Sequence, residues 1–408
     1  MLSTAARRLG GSALRRINTR ALSTSSFDIY TPTEEHGALR EMLANFVKTK
    51  VEPQALIHDR EEKFNVDLFR ELGDIGLLGI TAPEKYGGSG MDALAAELSS
   101  SDPAFCLAFL AHSMLFVNNV ALNASDEQCA KYLPDACSGA KICGMAMSEP
   151  SVGTDVLGMR TTAKLSDCGK YYILNGSKMW ITNGAVNDTE LGDTFLVYAR
   201  TGDSGKKKQD FSSFLVEKGF EGFSLGQRIK DKCGMRASNT AELVFDNCKV
   251  PVENIIGKEG GAVLCMMRNL EIERVTLAAM SLGIARRSIE VMVKYAEDRV
   301  AFGKPLSHFG QIQKNIAESY AEYMAGRAYL KLDSVGNRVD TDGVKLYCGD
   351  VGKRIADRAI QTLGGYGYVG EYNVERLWRD SKLLEIGGGT NESHHKNMVR
   401  DLVNQHKV

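Results

Sequence analysis

The spacing of hydrophobic residues changes twice along the chain. Before Cys143 apolar positions recur at the helical period, as in residues 68–75. From Cys143 to about Gly257 the period falls towards two, in short runs such as residues 195–198 separated by Gly, Asn, Asp and Lys. From Gly260 onwards long helical patterns return. The sequence therefore predicts an α+β protein, in which helices come first, an antiparallel β-sheet or barrel follows and helices close the chain.

This pattern predicts domain boundaries and excludes one common fold. We expect a separate leader at residues 1–26, an all-helical domain at 27–142, a β-domain at 143–258 and a helical domain at 259–408. Strands do not alternate with helices, and the glycines near residue 364 do not follow a strand with the spacing of a dinucleotide-binding loop. A Rossmann fold is therefore a poor interpretation.

Composition narrows the function classes. The 408 residues carry 50 Lys and Arg against 51 Asp and Glu, a formal net charge of -1, so no basic surface predicts nucleic-acid binding. No uninterrupted apolar run reaches the roughly 18 residues of a membrane-spanning helix. The 9 cysteines are scattered and form no C-x-x-C pair, which favours a reducing compartment and predicts no metal site.

The leader at residues 1–26 differs from the rest of the chain. It is rich in Ser and Thr, has no acidic residue, and contains the arginines Arg7, Arg8, Arg15, Arg16 and Arg20. This composition is typical of a mitochondrial transit peptide, and a disordered basic tail is the alternative. We therefore expect the mature protein in the mitochondrial matrix.

Several motifs in combination suggest a known family. Residues 361–392 hold two glycine clusters, at 364–367 and 387–389, separated by a charged segment that begins at Arg379. The run MAMSEPSVGTD occupies residues 145–155, and WITNG occupies 180–184. Alone, the first run could be an ordinary strand and turn, and Trp180 could be a core residue. Together these motifs resemble the acyl-CoA dehydrogenases, and the resemblance covers residues 27–408.

The resemblance implies a fold and a cofactor. The expected fold is a helical N-terminal domain, a middle β-domain and a C-terminal four-helix bundle. The expected activity is FAD-dependent oxidation of an acyl-CoA between its α and β carbons, in a homotetramer that passes electrons to electron-transferring flavoprotein. Arg299 and Phe302 match the segment that contacts the FAD of a neighbouring subunit. Carried over, the FAD residues are Met145, Met147, Ser148, Trp180, Ile181, Thr182, Arg299, Phe302, Gln361, Gly364, Gly365, Thr390 and Glu392. The substrate residues are Thr154, Tyr198, Ala199, Arg274, Gly387, Gly388 and Gly389.

Most members of that family carry a glutamate base where this chain has Gly388. A candidate replacement is found on a predicted helix, because one apolar helix face includes a single acid, Glu273. The members of that face are Met266, Leu270, Glu273, Leu277 and Ile284. Desolvation on an apolar face raises a carboxyl pKa and makes a stronger base for removing a proton next to a thioester. Glu271 points to another face, where it could pair with Arg274.

The branch of the family that oxidises isovaleryl-CoA places its base in a segment similar to residues 270–274. It also has a small residue at the position of Gly388. The resemblance implies that Glu273 removes the α proton while the β hydrogen leaves as hydride to flavin N5. The FAD ribityl 2′-hydroxyl and the N–H of Gly388 would then stabilise the thioester oxygen. The glycines would leave room for a short branched acyl chain, such as the one oxidised in leucine catabolism. In the simpler alternative, Glu273 is a surface acid and the glycines form a flexible turn.

Two other functions remain open at this point. A long-chain acyl-CoA dehydrogenase of fatty-acid β-oxidation is one, and a non-catalytic flavin-binding assembly protein is the other. The chain also departs from the family pattern at three places. The helix after Gly90 is shorter, Leu264 replaces a tyrosine, and Gly310 replaces a glutamine whose FAD contact could pass to Gln311 or Gln313.

Overall fold

The computed structural model describes residues 34–89, 99–203, 210–331 and 337–405. The chain divides into two compact units, Met1–Met42 and Leu43–Val408. Every candidate site residue belongs to the second unit. The predicted transit peptide and the shortened helix after Gly90 lie outside the described residues, and the three predicted boundaries between the four segments stay predictions.

Helices dominate the first described part of the chain. They are α1 (Glu34–Phe46), α2 (Glu52–Glu61), α3 (Val66–Asp74), α4 (Pro103–Phe109), α5 (Asn118–Asn123) and α6 (Asp126–Cys137). Asp102 caps the start of α4, because its side chain accepts a hydrogen bond from the Phe105 N–H at 3.0 Å. Ser125 and Gln128 cap α6 reciprocally. Wider π-helical turns occupy Val47–Val51 and Leu110–Val117.

One helical stretch, Pro103–Asn123, is long and apolar enough to cross a membrane by length and composition. The sequence prediction overlooked it, because polar residues such as His112 and Asn118 interrupt the apolar run. However, 83% of its most apolar window is buried inside the protein. The stretch is therefore explained as a core helix.

The middle part forms a mixed β-sheet. Its strands are β1 (Cys143–Ala146), β2 (Thr162–Leu165), β3 (Tyr171–Thr182), β4 (Thr194–Arg200), β5 (Phe211–Glu217), β6 (Phe223–Arg228) and β7 (Thr240–Pro251). The order in the sheet is β1-β4-β2-β3-β7-β6, with β5 paired to β4. Most pairs are antiparallel as predicted, but β4 runs parallel to β1 and β2. Strands β4 and β5 pair antiparallel, with Arg200 opposite Phe211.

The last part returns to helices, joined by a small hairpin of β8 (Val300–Ala301) and β9 (Lys304–Pro305). The helices are α7 (Ala262–Asp298), α8 (Gly310–Lys331), α9 (Arg338–Leu363), α10 (Val374–Ser381) and α11 (Asn391–Gln405). The 37-residue α7 packs along α9, and Ala285, Met292, Val351 and Ile355 share one core between them. A Cβ at Gly352 would lie 2.8 Å from the Ser281 carbonyl oxygen, so glycine permits this close approach. The predicted order of helices, strands and helices is confirmed.

Candidate active site

Glu273 lies on the α7 face that the sequence predicts. Met266 and Leu277, one or two turns away on this face, are buried, whereas Glu273 is half-buried. Loss of hydration raises the pKa of Glu273 from 4.5 to about 7, and the positive charges of Arg274 and Lys345 oppose this rise. The carboxyl group is therefore set to exchange a proton near neutral pH.

The glycine loop comes next to this carboxyl group. Gly388 has φ +65°, and a Cβ built there would lie 3.6 Å from the carboxyl carbon of Glu273 and 2.5 Å from Leu277 Cδ1. The expected room beside Gly388 is therefore already filled by Leu277 and Glu273. A Cβ at Gly387 would make only ordinary contacts, 3.5 Å from the Leu383 carbonyl oxygen. The carboxylate of Glu273 thus lies next to the space that a side chain at position 388 would occupy.

Buried cations hold the loop in place. Arg274 Nε donates to the Gly388 carbonyl at 3.2 Å, and Lys345 Nζ donates to the Gly389 carbonyl at 2.7 Å. Arg274 also forms an ion pair with Asp342, at 2.9 Å between Nη1 and Oδ1. Sequence reasoning considered only Glu271 as the partner of Arg274. Because Arg274 is buried and bonded to the protein, its predicted contact with substrate stays a prediction.

Strand β1 brings the predicted flavin motif against α7. Met145 Sδ accepts a hydrogen bond from Asn269 at 3.7 Å, one helical turn before Glu273. A buried Lys178–Glu149 ion pair of 2.9 Å fixes the segment around half-buried Ser148, since Lys178 also donates to the Met147 carbonyl at 3.0 Å. Sequence reasoning missed this pair, although a lysine inside the strand pattern of residues 171–182 is a detectable signal.

Trp180 is exposed beside this segment. The Met179 N–H donates to the Ser148 carbonyl at 2.9 Å, which places Trp180 next to the motif. Its side chain is 61% exposed at φ +67°, whereas Ile181 is buried and Thr182 half-buried. The alternative of a buried core tryptophan is therefore wrong. An exposed aromatic at a strained backbone position is suited to contact a flat ligand.

Five of the remaining predicted FAD residues form a second patch at the far end of α7, namely Arg299, Phe302, Gln361, Gly364 and Gly365. Arg299 follows Glu273 by 26 residues, roughly 39 Å along a helix that rises about 1.5 Å per residue. Its guanidinium lies 6.0 Å from the centre of the Tyr366 ring, and Phe302 nearby is 95% exposed. Gln361, Gly364 and Gly365 end α9 beside Tyr366, and a Cβ at either glycine would meet nothing within 4 Å. The structure therefore separates the predicted FAD residues into two patches.

The other predicted residues differ in accessibility. Thr390 lies next to Gly389, and Glu392 is exposed in the first turn of α11. Thr154 is exposed in the turn after β1. Tyr198 and Ala199 are fully buried, and the Tyr198 hydroxyl accepts a hydrogen bond from Asn119 at 3.2 Å. The predicted substrate contacts of Tyr198 and Ala199 stay predictions, and their burial gives them no surface to offer a ligand.

These features define a class of protein and suit its cofactor. The carboxyl group of Glu273 lies beside a glycine loop, where the C-terminal helices meet the β-sheet. The sheet also carries the exposed Trp180. This combination is expected of a flavin-dependent dehydrogenase. Open space above Gly364 and Gly365 and the exposed ring of Trp180 fit a large planar cofactor with a phosphate chain. Within the described ranges no group of three or more His, Cys, Asp or Glu could hold a metal ion.

The comparisons identify the family. Models of the N-terminal, middle and C-terminal domains of acyl-CoA dehydrogenase match residues 33–140, 144–248 and 260–403. The chain belongs to the acyl-CoA dehydrogenase family, whose members are FAD enzymes that oxidise CH–CH bonds.

Individual relatives cover most of the chain. A mitochondrial isovaleryl-CoA dehydrogenase of Oryza sativa subsp. japonica is 38% identical over 94% of this chain and 94% of its own length. The structure of butyryl-CoA dehydrogenase from Megasphaera elsdenii aligns with a TM-score of 0.85 and 33% identity, covering 91% of this chain and 98% of that one. An acyl-CoA dehydrogenase from Bacillus anthracis, complexed with FAD, aligns with a TM-score of 0.82 and 30% identity, covering 91% and 68%.

Proposed function

We propose that this enzyme oxidises a short branched-chain acyl-CoA, converting isovaleryl-CoA to 3-methylcrotonyl-CoA in leucine catabolism. The observation that carries the proposal is the position of Glu273. Its carboxyl carbon lies 3.6 Å from the Cβ position that Gly388 leaves empty, and its pKa is raised to about 7. A base placed in this way from α7 is the arrangement that the resemblance to the isovaleryl-CoA branch implies.

The chain's own residues account for the proton transfer. Glu273 takes the proton from the α carbon, and its raised pKa makes it a stronger base than an exposed glutamate. Bound FAD would supply the acceptor for the hydride that leaves the β carbon. Negative charge then develops on the thioester oxygen. The N–H of Gly388 has no hydrogen-bond acceptor among the described residues, so we assign it as a donor to that oxygen.

Space near the loop and the relatives favour a short branched chain. Gly387 can accommodate extra volume, because a Cβ there would meet its nearest atom at 3.5 Å. The relatives named isovaleryl-CoA dehydrogenase come from plants and mammals at 38% to 39% identity. A straight-chain acyl-CoA is the competing substrate, because a butyryl-CoA dehydrogenase also aligns well.

The proposed setting is the mitochondrial matrix. The Arg-rich leader at residues 1–26 and the mitochondrial relatives support this location. We further propose a homotetramer that passes electrons to electron-transferring flavoprotein. The separation of Arg299 from Glu273 supports an assembly in which one chain completes the FAD site of another.

An anaerobic titration of the purified flavoprotein with a panel of acyl-CoAs tests the substrate. Flavin absorbance should bleach with isovaleryl-CoA well before octanoyl-CoA or palmitoyl-CoA. Earlier bleaching with the long chains would replace the proposal with a long-chain dehydrogenase. An absence of bleaching with every member of the panel, despite bound FAD, would favour a flavin-binding assembly protein.

A further inference from the structure

A cluster of buried polar and charged side chains contacts the glycine loop. Its members are Arg274 from α7, Asp342 and Lys345 from α9 and His394 from α11. Asp342 and His394 are 0% exposed, Lys345 is 1% exposed and Arg274 is 7% exposed. Burying such groups costs several kcal/mol per ion, so apolar side chains would pack this position at lower cost. The cluster therefore calls for a role beyond packing.

The contacts of the cluster converge on the loop. Arg274 and Lys345 donate to the consecutive carbonyls of Gly388 and Gly389, at 3.2 and 2.7 Å. Asp342 Oδ1 accepts from Arg274 Nη1 at 2.9 Å and bonds to His394 Nδ1 at 2.6 Å. The ring of His394 lies under the loop, because a Cβ at Gly389 would approach its Cε1 atom to 3.1 Å. Three helices are thus joined to one short turn.

We propose that Lys345 and Asp342 are positioning residues that fix the turn of Gly388 and Gly389 against Glu273 and balance the charge around its carboxylate. This inference rests on the proposed role of Glu273 as the base. Lys345 acts in two ways, since it holds the Gly389 carbonyl and places a positive charge near Glu273. Asp342 acts through Arg274, whose guanidinium it orients and partly neutralises.

The surrounding charges give the two residues opposite effects. The charges that act on Glu273 come from Arg274 on its own helix and Lys345 on α9. The negative charges of Glu385 and Asp342 act on Lys345 in turn. Tyr198 on β4 also faces Glu273, but its hydroxyl group is neutral. Burial lowers the pKa of His394, so this ring is neutral at neutral pH and serves as a hydrogen-bond partner of Asp342. Loss of Lys345 removes a positive charge near Glu273, whereas loss of the Asp342 charge leaves Arg274 uncompensated.

Two substitutions test these opposite effects. Lys345→Met keeps an unbranched side chain without its charge, and Asp342→Asn keeps the shape of the carboxylate. We expect Lys345→Met to raise the midpoint of the acidic limb of kcat/KM by about one pH unit, and Asp342→Asn to lower it. Lys345→Met should also reduce kcat by about tenfold, with little change in KM, because the turn loses an anchor. Lys353→Met, on the same helix and paired with Glu385, is the control and should leave the midpoint unchanged.

An infrared titration measures the same change without turnover. The C=O stretch of the protonated Glu273 carboxyl is assigned by its loss in Glu273→Gln, and its midpoint is followed in the holoenzyme without substrate. Shifts in opposite directions in Lys345→Met and Asp342→Asn support the proposal. An unchanged midpoint in both variants, or shifts in one direction, would overturn it. If one variant does not fold, the direction in which the other variant shifts the midpoint decides whether the proposal stands.

The two measurements separate this inference from the proposed function. If no acyl-CoA bleaches the wild-type flavin, the dehydrogenase function fails, while the infrared midpoints still decide whether the cluster controls Glu273. If the wild type turns over and both variants keep its pH midpoint, the function stands and the positioning role is wrong.

Discussion

At the scale of single residues, the raised pKa of Glu273 has a cost for stability. Burial moves this pKa from 4.5 to about 7, so between these values the folded protein binds the proton more tightly than the unfolded chain. The contribution of Glu273 to the free energy of unfolding therefore falls as pH rises through this window. At roughly 1.4 kcal/mol per pH unit, the full loss above neutral pH is about 3 kcal/mol.

Replacement of Glu273 by glutamine should remove this cost. We compare the free energy of unfolding of Glu273→Gln with that of the wild type. This difference should favour the variant by about 2 kcal/mol more near pH 8 than near pH 5, because the variant has no carboxylate to desolvate. Denaturant unfolding at the two pH values measures the difference. Glu271→Gln on the same helix is the control. An equal stability difference at both pH values would show that Glu273 keeps an ordinary pKa.

The sequence could locate Glu273 but not its surroundings. A helical period of apolar residues with one acid is a local signal, and it identified the residue correctly on its face of α7. The partners Asp342, Lys345 and His394 are 69 to 121 positions away, and only the packing of three helices brings them together. A lysine inside the otherwise apolar run at residues 343–348 was the one local sign of the cluster.

At the scale of elements, Arg379 of α10 joins α2 to the loop between β6 and β7. Its guanidinium donates to Asp59 at 2.8 and 3.3 Å, to Glu375 at 2.7 Å and to the Cys233 carbonyl at 3.3 Å. A Cβ at Gly234 would lie 2.4 Å from the backbone of Arg379, so these segments are in direct contact. The half-buried arginine therefore links a helix of each helical region to the β-sheet.

Loss of this arginine should destabilise the whole fold. Arg379→Met leaves the buried Asp59 carboxylate uncompensated, and we expect a loss of about 3 to 5 kcal/mol in the free energy of unfolding. The double variant Arg379→Met with Asp59→Asn should recover part of the loss, since the unpaired charge is removed. Chemical denaturation of both variants measures this. A single variant within about 0.5 kcal/mol of wild type would contradict a structural role for the ion pairs.

The elements themselves were predictable to different degrees. Strand β4 was predictable from its short apolar run, and helix α7 from the helical spacing of its apolar residues. In both cases the local sequence pattern was sufficient to predict the element. The parallel pairing of β1 with β4 was not predictable, because it depends on the chain between Ala146 and Thr194 returning across the sheet. The helix Pro103–Asn123 was underestimated for a related reason, since some of its polar residues form hydrogen bonds with distant parts of the chain. His112, for example, bonds to the Ala136 carbonyl and the Cys143 N–H.

At the scale of the whole molecule, the predicted FAD residues lie in two separate patches. Arg299 lies roughly 39 Å along α7 from Glu273, at the end that carries the exposed Phe302. Motifs in the sequence could name both sets of residues, but only the folded chain shows how far apart they lie. This distance is the observation that supports the proposed sharing of FAD between chains.

A substitution in the second patch tests this sharing. We expect Arg299→Met to weaken FAD retention by at least about tenfold, because a charged contact to the cofactor's phosphates is lost. The ratio of flavin to protein absorbance after gel filtration, together with the mass of the oligomer, provides the measurement. Arg70→Met, an exposed arginine on α3, is the control. Full flavin content in Arg299→Met would show that the second patch is not a cofactor site.

The most direct test of the account is the effect of the base on flavin bleaching. Wild type, Glu273→Gln and Glu271→Gln, each loaded with FAD, would be mixed anaerobically with isovaleryl-CoA. The account predicts rapid bleaching in the wild type and in Glu271→Gln, and none in Glu273→Gln with substrate still bound. Bleaching of Glu273→Gln at the wild-type rate would contradict the claim that α7 supplies the base.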